Sequence, residues 1–186
     1  GQMGGGFRDG AGDWVQGWTV LGPVNEITVR VAGEIETTDM AGVLRGPRVG
    51  TIVKPSVGLS PEETALTVRE SLAGGIDFIK DDELQADGPG CPFDERVAAV
   101  MRVVNDAADQ TGRKAMMAFN ITGDLDRMKR RHDRVRELGG TCVMVCVASV
   151  GVAGLVELRR HSTLPIHAHR AGWGYLSRSP ALGWDF

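Results

Sequence analysis

The chain has 186 residues, of which 42% are hydrophobic and 24% charged, and its formal net charge is −3. These proportions are typical of a globular domain with its own core. The weak negative charge gives no reason to expect nucleic acid or an anionic membrane as a partner. No stretch approaches the roughly 18 apolar residues that span a bilayer, and no charged leader with an apolar segment opens the chain. We therefore expect a cytoplasmic protein with a small-molecule partner.

The cysteines are odd in number: there are three, Cys91, Cys142 and Cys146, and the last two lie in an apolar run. Reduced thiols of the cytosol fit this set better than a disulfide framework. Cys142 and Cys146 have no His or Cys partners at zinc-ligand spacing, so we predict that they are core residues.

Residues 1–35 are predicted to be a poorly ordered or remnant N-terminal segment. Residues 1–18 are rich in glycine and show no apolar period, which is typical of weakly ordered chain. Residues 27–31 contain enough β-branched side chains for one strand. A turn at residues 44–47 marks the point where the pattern changes.

From residue 49 onward, short apolar strands alternate with amphipathic helices. The predicted strands are 49–53, 76–80, 114–119, 141–147 and 164–169, and the predicted helices are 60–74, 94–111, 124–138 and 151–160. The first helix has Ser60 as N-cap, Pro61 at its first position and Glu63 to close a capping box. Such alternation predicts parallel strands joined by crossover helices, in either a doubly wound α/β sheet or a (β/α)8 TIM barrel.

Polar residues at the predicted strand ends favour the barrel, because barrel enzymes assemble their active sites there. The residues at this rim are Lys54, Lys80, Asp82, Glu83, Asn120 and His169. No glycine-rich phosphate loop follows the first of these strands, which makes a nucleotide-binding fold less favoured. The basic run 129–131 of the third helix is interpreted as its solvated face.

The residues after the second strand predict a metal site. Alternation along a strand points Lys80 and Asp82 the same way, and Glu83 can reach them from the loop. Such oxygen ligands suit Mg²⁺, whereas the simpler alternative is a solvated loop with a Lys–Asp ion pair. A metal, a lysine and a histidine together suit proton abstraction beside a carbonyl, with Arg170 binding phosphate or carboxylate.

A Schiff-base aldolase that uses Lys54 or Lys80 as nucleophile is the rival chemistry. Carboxylates beside Lys80 argue against it, because they stabilise the ammonium form. Single residues also have simpler interpretations: Asn120 as a turn or capping residue, His167 as a packed partner, and Arg170 as half of an ion pair.

Three segments carry a family resemblance: residues 50–60 (GTIVKPSVGLS), 75–83 (GIDFIKDDE) and 167–171 (HAHRA). They resemble the large chain of RuBisCO, and most closely its RuBisCO-like, or form IV, branch. The resemblance covers about residues 40–186, and it identifies residues 36–186 as part of the C-terminal barrel domain.

The resemblance implies roles for the rim residues. Lys80 would be carbamylated by CO₂ and would bind Mg²⁺ together with Asp82 and Glu83. Lys54 would be the acid/base of enolisation. His169 and Arg170 would contact the substrate, the arginine through a phosphate, and Asn120 matches an asparagine of the third strand. A homodimer of the full-length protein is also implied.

Two departures from the family pattern argue against CO₂ fixation on ribulose bisphosphate. Ser56 stands where carboxylating enzymes have a lysine, and Trp173 where they have a second histidine. We therefore expect Mg²⁺-dependent enolisation, of isomerase, decarboxylase or hydrolase type, on a phosphorylated keto-sugar or sugar-acid derivative. The alternatives are ribulose-bisphosphate carboxylase activity and a non-catalytic metal-binding fragment.

The predicted barrel is incomplete, since only about the first five of its eight βα units are recognisable. We interpret the chain as a fragment of a longer product, because an open barrel leaves unpaired strand edges. The isolated chain is expected to be inactive.

Overall fold

The structure, a computed structural model, describes residues 7–8, 14–15, 49–172, 174–175 and 178. The strand predicted at 27–31, the turn at 44–47 and Trp173 lie outside the described residues. Near the start of the chain, two short strands, β1 (Phe7–Arg8) and β2 (Trp14–Val15), pair antiparallel. The glycine-rich pattern of that segment does not predict this pairing.

The remaining elements alternate between strand and helix. They are β3 (Gly50–Ile52), α1 (Pro61–Ala73), β4 (Phe78–Lys80), α2 (Phe93–Thr111), β5 (Met116–Asn120), α3 (Leu125–Glu137), β6 (Cys142–Cys146), α4 (Val147–His161) and β7 (Ile166–His169). All five strands and four helices predicted from residue 49 onward are present, with small differences at their ends. The largest difference is in α4, which follows β6 directly and contains a kink at Gly151, where φ is 70°.

Strands β3 to β7 form one parallel sheet, and their order in the sheet is their order in the chain. A doubly wound sheet reverses its strand order at a switch point, whereas a barrel adds each strand beside the previous one. The observed order therefore confirms a partial (β/α)8 barrel, with five strands and the four helices between them in the described residues. The carboxyl ends of all five strands meet at one edge.

The two faces of the sheet have separate cores. The face toward the helices contributes Ile79, Met117, Phe119, Val143 and Val145 to the large core. The inner face carries a smaller cluster of Phe78, Met116, Ala118, Cys142 and Met144. All three cysteines are free, as predicted, and all three are buried, which for Cys142 and Cys146 is the predicted core role. Within the described residues, none of the helices combines the length and apolarity needed to cross a membrane.

The prediction for the basic run of α3 is wrong at one residue. Arg130 is exposed, but Arg131 is only 3% exposed. The Arg131 guanidinium pairs with Asp87 at 2.7 Å, donates to the Thr122 carbonyl at 2.8 Å and lies over the Phe93 ring. Arg131 is thus on the inward face of the helix, where its charge has partners from two loops, and a run of like charges does not reveal which member turns inward.

Candidate active site

The register of the parallel sheet brings the last residues of four strands together on the inner face. Phe78, Ala118 and Met144 lie on that face, so the residues two positions later point the same way. Those residues are Lys80, Asn120 and Cys146, and Cys146 pairs in register with His169. The mouth of the partial barrel is therefore lined by a lysine, an amide, a thiol and an imidazole.

Lys80, Glu83 and His169 meet at one carboxylate oxygen. The Lys80 side chain is only 2% exposed, and its Nζ donates to the Asp81 carbonyl at 2.9 Å and to Glu83 Oε2 at 3.3 Å. His169 Nε2 lies 3.8 Å from the same oxygen. Burial acts to raise the pKa of Glu83, but a backbone hydrogen bond and the Lys80 charge lower it below its ordinary value. The Glu83 carboxylate is thus held between two basic side chains.

Asp82 uses both of its carboxylate oxygens. Oδ2 accepts hydrogen bonds from Lys54 Nζ and from Ser56 Oγ, the latter at 3.1 Å, and Oδ1 accepts from the Leu84 backbone at 2.9 Å. Burial acts to raise the pKa of Asp82, yet these donors bring it below its ordinary value. The bond to Asp82 in turn raises the pKa of Lys54. A cation that binds Asp82 through Oδ2 must therefore displace the Lys54 ammonium.

Asn120 organises the loop that carries the carboxylates. Its amide nitrogen donates to the backbone carbonyls of Asp82 and Glu83, at 3.3 and 3.0 Å. Its amide oxygen accepts from the backbone and hydroxyl of Thr122, at 3.1 and 2.6 Å. Asn120 is therefore a positioning residue in this structure, close to the turn role weighed from the sequence.

The two residues at the end of β7 differ in exposure. The Ala171 backbone donates to His169 Nδ1 at 3.0 Å, so the ring proton is on Nε2, the nitrogen nearest Glu83. Burial lowers the pKa of His169, which favours the neutral ring. Arg170 follows β7 and is exposed.

His167 lies two residues before His169, on the same inner face of β7. It is buried against the Phe78 ring, and burial lowers its pKa to about 4.

A buried ion pair beneath the loop is missing from the sequence prediction. Arg96 is fully buried, and its guanidinium lies 3.3 Å from Asp81 Oδ2 and donates to the carbonyls of Cys91, Gln85 and Ala86. The Asn120 backbone also donates to Asp81 Oδ2, at 3.0 Å. The only sequence signal is an arginine within the apolar face of α2. Asp81 thus supports the loop from below, while its two neighbours face the mouth.

Cys146 is also a rim residue, although the sequence indicated only a core role. It is buried as predicted, and its Sγ lies 3.8 Å from the Glu83 carbonyl. Burial raises the pKa of this thiol, so it is a neutral wall of the mouth at pH 7. The structure therefore brings together Lys54, Lys80, Asp82, Glu83, Asn120 and His169, and places Arg170 at the exposed edge beside them.

The comparison with known families decides the classification. A family model of the ribulose bisphosphate carboxylase large chain, catalytic domain, matches residues 34–186. The chain belongs to the RuBisCO large-chain family. Among solved structures, a RuBisCO-like protein from Burkholderia fungorum has a TM-score of 0.76 and 46% identity, over 82% of this chain and 38% of that one.

Relatives within the RuBisCO family include enzymes named for a phosphorylated sugar acid. A 3-oxo-isoapionate-4-phosphate transcarboxylase/hydrolase from Xanthobacter autotrophicus is 70% identical over 150 residues, which is 81% of this chain and 36% of that protein. A 3-oxo-isoapionate-4-phosphate decarboxylase from Rhizobium etli is 47% identical over 148 residues, 79% of this chain and 36% of that protein. The chain thus spans about a third of the length of these relatives.

Proposed function

We propose that this chain supplies five strands of the barrel of a RuBisCO-like enzyme that acts on 3-oxo-isoapionate 4-phosphate as a transcarboxylase/hydrolase. The observation that carries the proposal is the 70% identity to the Xanthobacter enzyme of that name, against 47% to the Rhizobium decarboxylase. The family model spans residues 34–186, the segment that holds the described rim residues. The reaction class is a carbon–carbon cleavage beside a carbonyl, which agrees with the enolisation expected from the residues.

The substrate class explains why a cationic rim is useful. When the carbon–carbon bond to the carboxyl group of a 3-oxo acid breaks, CO₂ departs and the bonding electron pair stays on the neighbouring carbon, which becomes an enolate that then takes up a proton. Stabilising the developing charge on the keto oxygen is therefore the main catalytic requirement. Lys54 and His169 Nε2 offer proton donors toward the mouth, and exposed Arg170 offers a guanidinium for the phosphate.

The residues fit a magnesium ion with Lys80 as a carbamate. Asp82 and Glu83 are ionised carboxylates next to the buried Lys80 amine, and a carbamate on Nζ would complete a set of hard oxygen ligands. Bound there, Mg²⁺ would supply electrophilic stabilisation of the enolate oxygen. Asn120 would hold the ligand loop through its two carbonyl bonds.

Lys54 is the residue to which we assign proton transfer. It is hydrogen-bonded to Asp82 and Ser56, and its side chain is about half exposed, so it can turn into the mouth when a metal occupies Asp82. Ser56, in place of a lysine, leaves one cation fewer beside the substrate. That difference is the reason to expect poor binding of a second phosphate group, and hence no carboxylation of ribulose bisphosphate.

A chimera tests the proposal with the rest of the barrel present. The aligned 150 residues of this chain would replace their counterpart in the Xanthobacter enzyme, and turnover of 3-oxo-isoapionate 4-phosphate would be followed by NMR with Mg²⁺ and bicarbonate. We expect turnover within about tenfold of the parent, and its loss in Lys54→Met. Clear carboxylation of ribulose bisphosphate by the chimera would support the carboxylase alternative. Metal binding without turnover of either substrate would support the non-catalytic alternative.

We further propose that the full-length protein is a cytoplasmic homodimer. Family membership is the support for both statements. Sedimentation equilibrium of the full-length product would give the mass of the assembly, and a monomer would contradict the dimer.

A further inference from the structure

Two histidines and an aspartate converge in the helical layer, on elements that carry none of the rim residues. His132 and Asp133 lie in α3, and His161 is the last residue of α4. Asp133 Oδ1 lies 3.0 Å from His132 Nδ1 and 3.0 Å from His161 Nε2. The three ligand atoms all lie within 4.8 Å of one another. One oxygen is thus shared by two imidazoles from different helices.

This donor set suits a late first-row divalent cation. Zn²⁺ binds imidazole nitrogen and carboxylate oxygen at about 2.0–2.2 Å, so two ligand atoms on one tetrahedral ion lie roughly 3.3 Å apart. The two nitrogen–oxygen separations of 3.0 Å are close to that value. Imidazole selects Zn²⁺, Co²⁺, Ni²⁺ or Cu²⁺ over Mg²⁺, which prefers oxygen ligands.

The ring of His132 is already oriented. It is fully buried, and the Thr163 backbone donates to its Nε2 at 3.3 Å, so the ring proton is on Nδ1 and points at Asp133. A cation would take the place of that proton. The proton would then move to Nε2 at the cost of the Thr163 hydrogen bond, which at 3.3 Å is longer than the two contacts of Asp133 with the imidazoles.

The other two ligands are reachable from solvent. The His161 and Asp133 side chains are 31% and 34% exposed, so an ion can enter and keep water in its remaining positions. Arg136 is the nearby cation, 3.7 Å from Asp133 Oδ1, and its side chain is 52% exposed. It can turn into solvent when a dication arrives.

We propose that His132, Asp133 and His161 bind a late first-row divalent cation, with Zn²⁺ as the ion that fits best. The site has three protein ligands and open positions for water. It joins the middle of α3 to the end of α4, so a bound ion stabilises the packing of these two helices. It is independent of the proposed reaction at the rim.

The test is Co²⁺ binding to the full chain, because the visible spectrum of Co²⁺ reports imidazole coordination. His161→Gln is the informative variant, since its amide can still donate to Asp133 but the imidazole ligand is gone. Asp133→Asn is the second variant, and Lys80→Ala in excess Mg²⁺ excludes binding at the rim. Circular dichroism and thermal unfolding are measured on each protein.

We expect wild type and Lys80→Ala to bind one equivalent of Co²⁺ at this site, with Zn²⁺ displacing it and raising the unfolding temperature. Binding should weaken by at least about tenfold in His161→Gln and Asp133→Asn. Equal Co²⁺ binding and equal Zn²⁺ stabilisation in wild type and His161→Gln would overturn the proposal. A second result would also overturn the proposal: neither wild type nor His161→Gln shows a Co²⁺ spectrum, although both have the same helix content without the ion. The cluster would then be held by hydrogen bonds alone.

Discussion

Three consecutive carboxylates have three different cationic partners in this structure. Asp81 pairs with Arg96 beneath the loop, Asp82 with Lys54 at the mouth, and Glu83 with Lys80. The first pair is fully buried on both sides, whereas each of the other two has one partly exposed member. The same residue type, repeated in the sequence, therefore has a supporting role at one position and a ligand-like role at the next two.

Replacing Arg96 by methionine should strongly destabilise the chain. The change removes the partner of a buried carboxylate and three hydrogen bonds to carbonyls of the loop, and breaking a buried pair typically costs about 3–5 kcal/mol. The free energy of unfolding, from urea titration followed by circular dichroism, measures the loss. Arg160→Gln is the matched control, because its pair with Glu157 is on the surface, where solvent screens it, and its loss should change the stability far less.

Asp81→Asn in the Arg96→Met background gives the decisive comparison. Removing the second charge should recover part of the lost stability, because the buried carboxylate is then no longer uncompensated. If the double variant is less stable than Arg96→Met by the full effect of Asp81→Asn alone, the pair is not coupled and the interpretation is wrong.

The stability of the chain should decline below pH 6.5 through His167. Its folded pKa of about 4 is below the ordinary value of 6.5 because the ring is buried. Between pH 6.5 and pH 4 the ring is protonated in the unfolded state but neutral in the folded state. The contribution of His167 to the free energy of unfolding is therefore complete above pH 6.5 and is lost as the pH falls toward 4. The full loss is about 3 kcal/mol for this residue. Urea unfolding at pH 7.5, 6 and 5 measures it, and His167→Gln should flatten the slope, whereas an unchanged slope would exclude His167 as the cause.

At the scale of elements, local signals decide where helices begin. The Ser60 hydroxyl accepts from the Glu63 backbone at 3.2 Å, and the Glu63 carboxylate accepts from the Ser60 backbone at 2.8 Å. The capping box read from the sequence is confirmed. In contrast, α4 begins directly after β6 without a side-chain cap, and the kink at Gly151 divides it. No cap signal marks that start, which is why the predicted helix begins four residues late.

Ser60→Ala should lower the free energy of unfolding by about 1 kcal/mol, because one helix donor loses its acceptor and the reciprocal Glu63 bond loosens. Thermal and urea unfolding measure the change. Arg69→Ala, on the exposed face of the same helix, should stay within about 0.5 kcal/mol of wild type. Equal losses in both variants would show that the effect of Ser60→Ala is not specific to the cap.

At the scale of the whole molecule, the candidate site exists only because five strands share one edge. Lys54, Lys80, Asn120 and His169 are separated by dozens of residues, and the parallel register brings them to the mouth. The Lys54–Asp82 contact joins residues 28 positions apart. Metal binding therefore reports assembly of the sheet as well as the chemistry of the loop.

Bicarbonate should raise the affinity of the chain for Mg²⁺, and Lys80→Ala should remove that increase. The physical reason is that a carbamate replaces the Lys80 ammonium by an anion beside Asp82 and Glu83. We expect an effect on the order of tenfold or more, equivalent to about 1.4 kcal/mol, by calorimetry. Lys114→Ala is the control, because Lys114 lies just before the amino-terminal end of β5, whereas the mouth is at the carboxyl ends of the strands. Its Nζ donates to the Gly139 carbonyl. A bicarbonate effect that persists in Lys80→Ala would exclude the carbamate.

Local patterns determined the elements and the fold class. Apolar runs, helix caps and glycine stops depend on neighbouring residues, so the alternation of strands and helices, the barrel and the rim residues all follow from the sequence. The alternation of side chains between the two faces of a strand also follows from the sequence, and this is why Lys80 and His169 could be placed at the mouth.

Only the tertiary structure decided how charges pair. Asp81 and Arg96 are 15 residues apart, and Arg131 meets Asp87 across 44 residues, so no local pattern distinguishes these buried partners from solvated charges. The same holds for the cluster of His132, Asp133 and His161, which depends on the packing of α3 against the end of α4. Desolvation and partner distance determine what an ionisable side chain does, and both quantities arise only when separate elements pack together.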